Sequence, residues 1–218
     1  LRDTAKARHD FRHQLLVIRS FADEDDVQGL RAYLDEQGAG QAQREPGAYA
    51  LNFALDAVAA HFAERARACG ADVSLAFALP ERLPLPEADF CMAMANLLEN
   101  AVEACERAVR EEAGADGRGS TAQDGARPLF VDAEARIEGN AVLVSVRNSC
   151  TPSDARALAA AAPDGVLSSD VRSAKREGDG IGLASVATLA KRYRGEVQVE
   201  IDEYAATIHV LLFAGDAR

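Results

Sequence analysis

The chain has 218 residues, a formal net charge of −11, 48% hydrophobic and 27% charged residues. This is enough for one large domain, or a small module beside a medium one, around a full hydrophobic core. The acidic balance argues against nucleic-acid binding, which calls for a basic face to neutralise phosphates. No apolar run reaches membrane-spanning length, since even the Ala-rich stretch 48–63 carries Asp56 and His61.

The first residues show no signal-peptide pattern. They open in the middle of a helical pattern without an initiator Met, so a longer parent protein is expected. Apolar positions Leu1, Ala5, Phe11, Leu15, Ile18 and Ala22 form one stripe with near-heptad drift. The acidic run at 23–26 suits a turn and the cap of a second helix, where Val27, Leu30 and Leu34 again line one face. A two-helix hairpin cannot bury both stripes alone. Pairing with a second copy would give a four-helix bundle, so a homodimer is expected.

The Gly-, Gln- and Pro-rich stretch 38–47 reads as a linker. Beyond it the pattern predicts a helix over 48–69 ended by Gly70, a strand at 73–79, a Pro-punctuated loop and a long helix at 87–112. Residues 114–128 are a low-complexity loop. Strands are predicted near 129–137 and 141–147, then a long small-residue segment at 149–182 with no convincing strand. A helix at 183–194 and strands near 196–202 and 206–213 close the chain. Helices and strands mix without strict alternation, which predicts an α+β sandwich with helices on one face of a largely antiparallel sheet. The expected modules are a hairpin at 1–43 and a larger domain at 48–214. Cys69, Cys91, Cys105 and Cys150 lack CxxC spacing, so buried reduced thiols of a cytosolic protein are favoured over a disulfide framework or zinc site.

Three stretches carry candidate chemistry. In NLLENAVEA (96–104), Asn96, Asn100 and Glu103 recur at steps of four and three and share one helix face. Asn is a mediocre helix former. Two of them here either cap buried backbone groups or offer hard oxygen to a cation such as Mg²⁺, which keeps its other positions for phosphates and water. In GDGIGL (178–183), Gly178, Gly180 and Gly182 alternate just ahead of a helix start that includes Leu183. Close backbone approach plus a helix N-terminus outlines a phosphate cradle, with a flexible hinge as the alternative. In VLVSVRNSC, Asn148 ends a strand and could either read a base edge or begin a turn.

In this order, the three stretches resemble the GHKL ATP-binding superfamily of gyrase, the heat-shock chaperones, histidine kinases and mismatch-repair proteins, over about 48–213. The resemblance implies a Bergerat-type α/β sandwich that binds ATP and Mg²⁺. It makes Asn100 the Mg²⁺-binding asparagine, with Asn96 one turn before it. Gly180 and Gly182 match the glycines behind a mobile ATP lid, which would span roughly 150–178. Asn148 stands where most of the superfamily has the Asp that recognises adenine. Lys175 and Arg176, at the lid's end, are candidates for a γ-phosphate contact or plain solvated charges. ATP-hydrolysing members carry a Glu four residues before the Mg²⁺-binding Asn; Asn96 occupies that place and cannot act as a general base. Transfer to an acceptor is favoured over hydrolysis.

The acceptor candidate lies in RHDFRH (8–13), where His9 and His13 fall opposite the apolar stripe. A zinc site would need a third ligand that the sequence does not offer nearby. With an ATP-binding domain downstream, His9 becomes the expected phosphoryl acceptor, because a neutral imidazole has one free ring nitrogen. Asp10 would hydrogen-bond the other nitrogen. This stretch, with NFALDA (52–57) and NLLENAVEAC, resembles sensor histidine kinases of the peptide-sensing, accessory-gene-regulator type. That resemblance implies an N-terminal membrane sensor absent here, a site on the cytoplasmic face, and a response regulator, commonly of LytTR type. It also gives His13 a phosphatase-related role, and Asp179 stands in place of a His common in the subfamily. The competing readings are a degenerate dimeric adaptor that binds nucleotide without phosphorylating itself, and an ATPase or serine kinase of the anti-sigma type.

Overall fold

The computed structural model describes residues 16–36, 47–115, 128–167, 181–202 and 204–215. These fall into two compact units, one within Leu1–Arg44 and one within Glu45–Arg218. In the first unit, helix α1 (described over 16–23) and helix α2 (Val27–Glu36) are joined by the expected acidic turn. Asp25 takes a left-handed φ of 54°, and Asp26 caps α2 by accepting from Gly29 N at 2.8 Å. The upstream part of the predicted stripe, from Leu1 to Leu15, lies outside the described residues.

The second unit is a five-stranded mixed sheet with strand order β1-β2-β3-β5-β4. The strands are β1 (Asp72–Ala78), β2 (Phe130–Glu138), β3 (Ala141–Ser149), β4 (Glu196–Asp202) and β5 (Ala205–Phe213). Every neighbouring pair is antiparallel except β1 and β2, as expected for a largely antiparallel sheet. The helices are α3 (Phe53–Ala68), α4 (Glu87–Ala115), α5 (Pro152–Ala161) and α6 (Ile181–Arg192).

Strand alternation sorts the sheet's two faces. Val142, Val144 and Val146 of β3 are buried beside Ala133 and Ala135 of β2 and Ile208, Val210 and Leu212 of β5. Against this face packs the apolar side of α4, where Met94, Leu97, Leu98, Ala101, Val102 and Cys105 are all at most 1% exposed. The intervening positions Glu134, Arg136 and Arg147 are exposed and form ion pairs with their neighbours, as expected of a sheet with one wet face.

Two sequence expectations are corrected. Residues 48–52 are not helical, because Asn52 caps α3 by accepting from Leu55 N at 2.9 Å. The buried Asp56 carboxylate then folds the preceding segment back, accepting from the N–H groups of Gly47, Tyr49 and Ala50. The second correction falls in the small-residue segment, expected to be a mobile lid over 150–178. Its first half is built into the fold. Thr151 and Asp154 form a capping box with Pro152 at the first helical position, and this starts α5. Leu167 N then bonds Val197 O at 2.9 Å and Val199 N bonds Gly165 O at 2.7 Å, which covers the open edge of β4. Ala162 and Leu167 join the core.

Candidate functional site

The site begins on α4, where Asn96 and Asn100 are half-buried on the helix side facing α6, while Leu97 and Leu98 go to the core. The Asn100 amide turns back on its own helix, Nδ2 donating to Asn96 O at 2.6 Å. This bond takes one of the amide's two N–H donors, orients the group and leaves its carbonyl oxygen for another partner. One hard oxygen is what an octahedral, phosphate-bound Mg²⁺ asks of a protein. The arrangement therefore fits such an ion. Among the described residues no group of three or more His, Cys, Asp or Glu side chains could hold a metal by itself.

The first turn of α6 rests on these asparagines. A Cβ placed on Gly182 would stand 3.0 Å from Asn100 Nδ2 and 3.7 Å from Asn96 Cβ. Glycine at 182 is what allows the helix start to approach so closely. Leu183, next in the chain, is half-buried against the core. The far end of α6 is fixed as firmly: Tyr193 is 2% exposed, and its hydroxyl donates to Asp89 Oδ2 at 2.6 Å on the first turn of α4. Arg192 NH1 reaches the same oxygen at 3.1 Å. Arg194 then takes a φ of 55° and Gly195 presses against the Leu211 carbonyl, where a Cβ would collide. Thus α4 and α6 are pinned at both ends of their contact, and the N-terminus of α6 is held over the asparagine face.

Asn148 lies within β3 rather than in a turn. It pairs with Val131 and Ala206 in register and continues the buried column of Val142, Val144 and Val146. It is 5% exposed, and its Nδ2 donates to Ser149 O at 2.9 Å. One N–H of the amide is committed there, and its carbonyl oxygen remains an acceptor on the α4 face of the sheet.

Glu103, the third member of the α4 face, pairs with Arg107 at 3.6 Å. Arg107 Nε in turn donates to Asp154 Oδ1 at 3.0 Å, across to α5. The pattern that led to Asn96 and Asn100 passes over Arg107, Thr151 and Asp154. Their signal was present in the sequence as Thr-Pro-Ser-Asp, a capping-box spelling. The expected site residues His9, Asp10, His13, Lys175, Arg176, Gly178 and Gly180 lie outside the described residues, as does Asp179. Within NFALDA, Asn52 donates to Glu81 O and Glu87 Oε2, so it and Asp56 are occupied in holding the fold.

The thiols carry none of this chemistry. Burial pushes Cys105 up to about 12, with a smaller contribution from Cys69, and raises Cys150 to about 11, with a smaller contribution from Asp154. All four cysteines are free. No described helix is long and apolar enough to cross a membrane.

No protein-family model matches the chain, and no curated protein matches it in sequence. Among solved structures, the fold is similar to histidine kinase catalytic domains. Full-length ShkA in complex with AMPPNP is 23% identical, with a TM-score of 0.47 over 76% of this chain and 30% of that one. The catalytic domain of histidine kinase ThkA, nucleotide free, is 15% identical with a TM-score of 0.48, over 74% of this chain and 92% of that one. A histidine kinase from Burkholderia phymatum is 19% identical with a TM-score of 0.48, over 95% and 89%. All are under 25% identical with TM-scores under 0.5, so the chemistry rests on the chain's own residues.

Proposed function

We propose that this chain is the cytoplasmic catalytic region of a dimeric sensor histidine kinase, which binds ATP with Mg²⁺ and phosphorylates itself on His9. The observation that carries the proposal is the seating of Gly182 on Asn96 and Asn100, with 3.0 Å between a would-be Cβ and Asn100 Nδ2. A glycine-led helix start laid on an asparagine face is suited to a triphosphate, whose charge the N–H groups of that start would meet. Asn100 would hold Mg²⁺ through its side-chain oxygen; when bound, the ion would neutralise charge on the transferring phosphoryl group. Asn148, one N–H tied to Ser149, would accept through its side-chain oxygen from the exocyclic amine of adenine.

The described residues of the site favour transfer over hydrolysis. Asn96 cannot take a proton from water, Glu99 is exposed on another side of α4, and Glu103 is engaged by Arg107. In the proposed step an unprotonated ring nitrogen of His9 forms the N–P bond. The bond from the γ-phosphorus to its bridging oxygen breaks, and ADP leaves. Asp10 would accept from the other ring N–H and offset the positive charge that develops. The phosphoryl group would then pass to an aspartate of a response regulator, commonly of LytTR type, and His13 would serve hydrolysis of that phospho-aspartate, the phosphatase side. Lys175, Arg176, Gly178 and Gly180 complete the proposed phosphate side.

The test is incubation with γ-labelled ATP and Mg²⁺ beside a His9→Gln variant. Acid-labile, base-stable label that disappears in the variant is expected. Tight ATP binding with no label on the wild-type chain would replace the kinase with the non-catalytic adaptor.

A further inference from the structure

Asn96, Asn100, Glu103 and Arg107 follow one another at steps of four, three and four, so the face that carries the asparagines continues for two more turns. It ends in a guanidinium shared between Glu103, at 3.6 Å, and Asp154 Oδ1, at 3.0 Å. Asp154 is 7% exposed, and its other oxygen is already occupied by Thr151, whose N–H and hydroxyl lie 3.3 and 3.0 Å away. Thr151 stands two residues beyond the end of β3, and Cys150 N between them is fixed to Tyr204 O at 2.9 Å. Little slack therefore separates Arg107 from Asn148.

A half-buried ion pair of this kind adds little net stability over an apolar replacement, because partial desolvation of both charges offsets their attraction. What it does supply is fixed geometry, and a planar guanidinium that spans two carboxylates does so better than a point charge. The α5 cap needs only Thr151 and Asp154 for its own N–H groups, so the arginine is additional to capping.

We infer that Arg107 is a positioning residue: by tying the β3–α5 turn to the asparagine face of α4, it sets the separation between the base end and the metal end of the nucleotide site. This rests on the nucleotide-site reading above. Removing the tie should leave the triphosphate end intact and loosen the end that meets the base. Substrate selection, rather than phosphate binding, is the property it controls.

The experiment titrates ADP and inorganic tripolyphosphate, each with Mg²⁺, into the full chain and into Arg107→Gln and Arg107→Lys. Arg107→Lys keeps Asp154 neutralised and so guards against simple failure to fold, while giving up the fork geometry. The inference predicts ADP affinity lowered about tenfold in Arg107→Gln and about threefold in Arg107→Lys, with tripolyphosphate affinity unchanged within about twofold. Equal losses for both ligands, or ADP affinity in Arg107→Lys matching wild type, would overturn it while leaving the nucleotide site standing. If wild type binds neither ligand, the nucleotide-site reading fails, and this inference with it.

Discussion

At the scale of single residues, hydrogen-bond commitment decides which groups remain free for chemistry. The amides of Asn100 and Asn148 each have one N–H engaged by a backbone carbonyl, at 2.6 and 2.9 Å, which orients the amide and keeps its oxygen as an acceptor. An acceptor suits both a cation and an exocyclic amine. The placement behind these proposed roles was partly legible in the sequence, because spacing put Asn96 and Asn100 on one helix face. The commitment of the donors was not, since it depends on rotamers that no pattern encodes. The cysteines behave oppositely. Cys105, raised to about 12 by burial, and Cys150, raised to about 11, remain thiols at neutral pH and beyond. Native protein treated with iodoacetamide at about pH 8 should leave both unmodified until denaturant is added, as read by peptide mass spectrometry. Rapid alkylation of Cys105 in the folded chain would contradict its placement.

At the scale of elements, one end of the contact between α4 and α6 is secured by a buried phenol. Tyr193 donates to Asp89, and burial followed by that hydrogen bond raises its pKa above the ordinary value of 10. Tyr193→Phe should cost about 1.5–3 kcal/mol in a denaturant titration, the usual range for a hydrogen bond to a charged acceptor. The pH sign follows from the raised value. The protonated phenol is the form that folding favours, so its contribution is full below the unfolded pKa and lost as pH rises through the folded one. Wild type and Tyr193→Phe should therefore differ at neutral pH and converge above about pH 10. A constant difference across that window would show that the phenol proton is not the source.

Element legibility varied for physical reasons. Helix α4 was plain because a long apolar stripe with a polar face has a strong period. Helix α5 was missed because its Ala-rich run has no stripe, and only the cap Thr151-Pro152-Ser153-Asp154 marks it. The start of α3 was set too early because Ala48, Tyr49 and Ala50 look like helix, whereas Asp56 holds that backbone in another shape from six to nine residues away. Sequence periodicity does not register a carboxylate that reaches back over its own chain.

At the scale of the molecule, the mixed sheet and its helical layer place three separate segments, from α4, β3 and the start of α6, around the same core. Function read from such a fold is a claim about one site: that α4 and α6 together hold a Mg²⁺-bound nucleotide. Gly182 tests it most directly, because a side chain there must push against Asn100. The measurement is a calorimetric titration of ATP, with and without Mg²⁺, into the wild-type chain and into Gly182→Val. The account predicts Mg²⁺-dependent binding to wild type and a loss of about tenfold or more in Gly182→Val, with both proteins folded by circular dichroism. Absence of ATP binding to wild type, or equal binding to Gly182→Val, would contradict it.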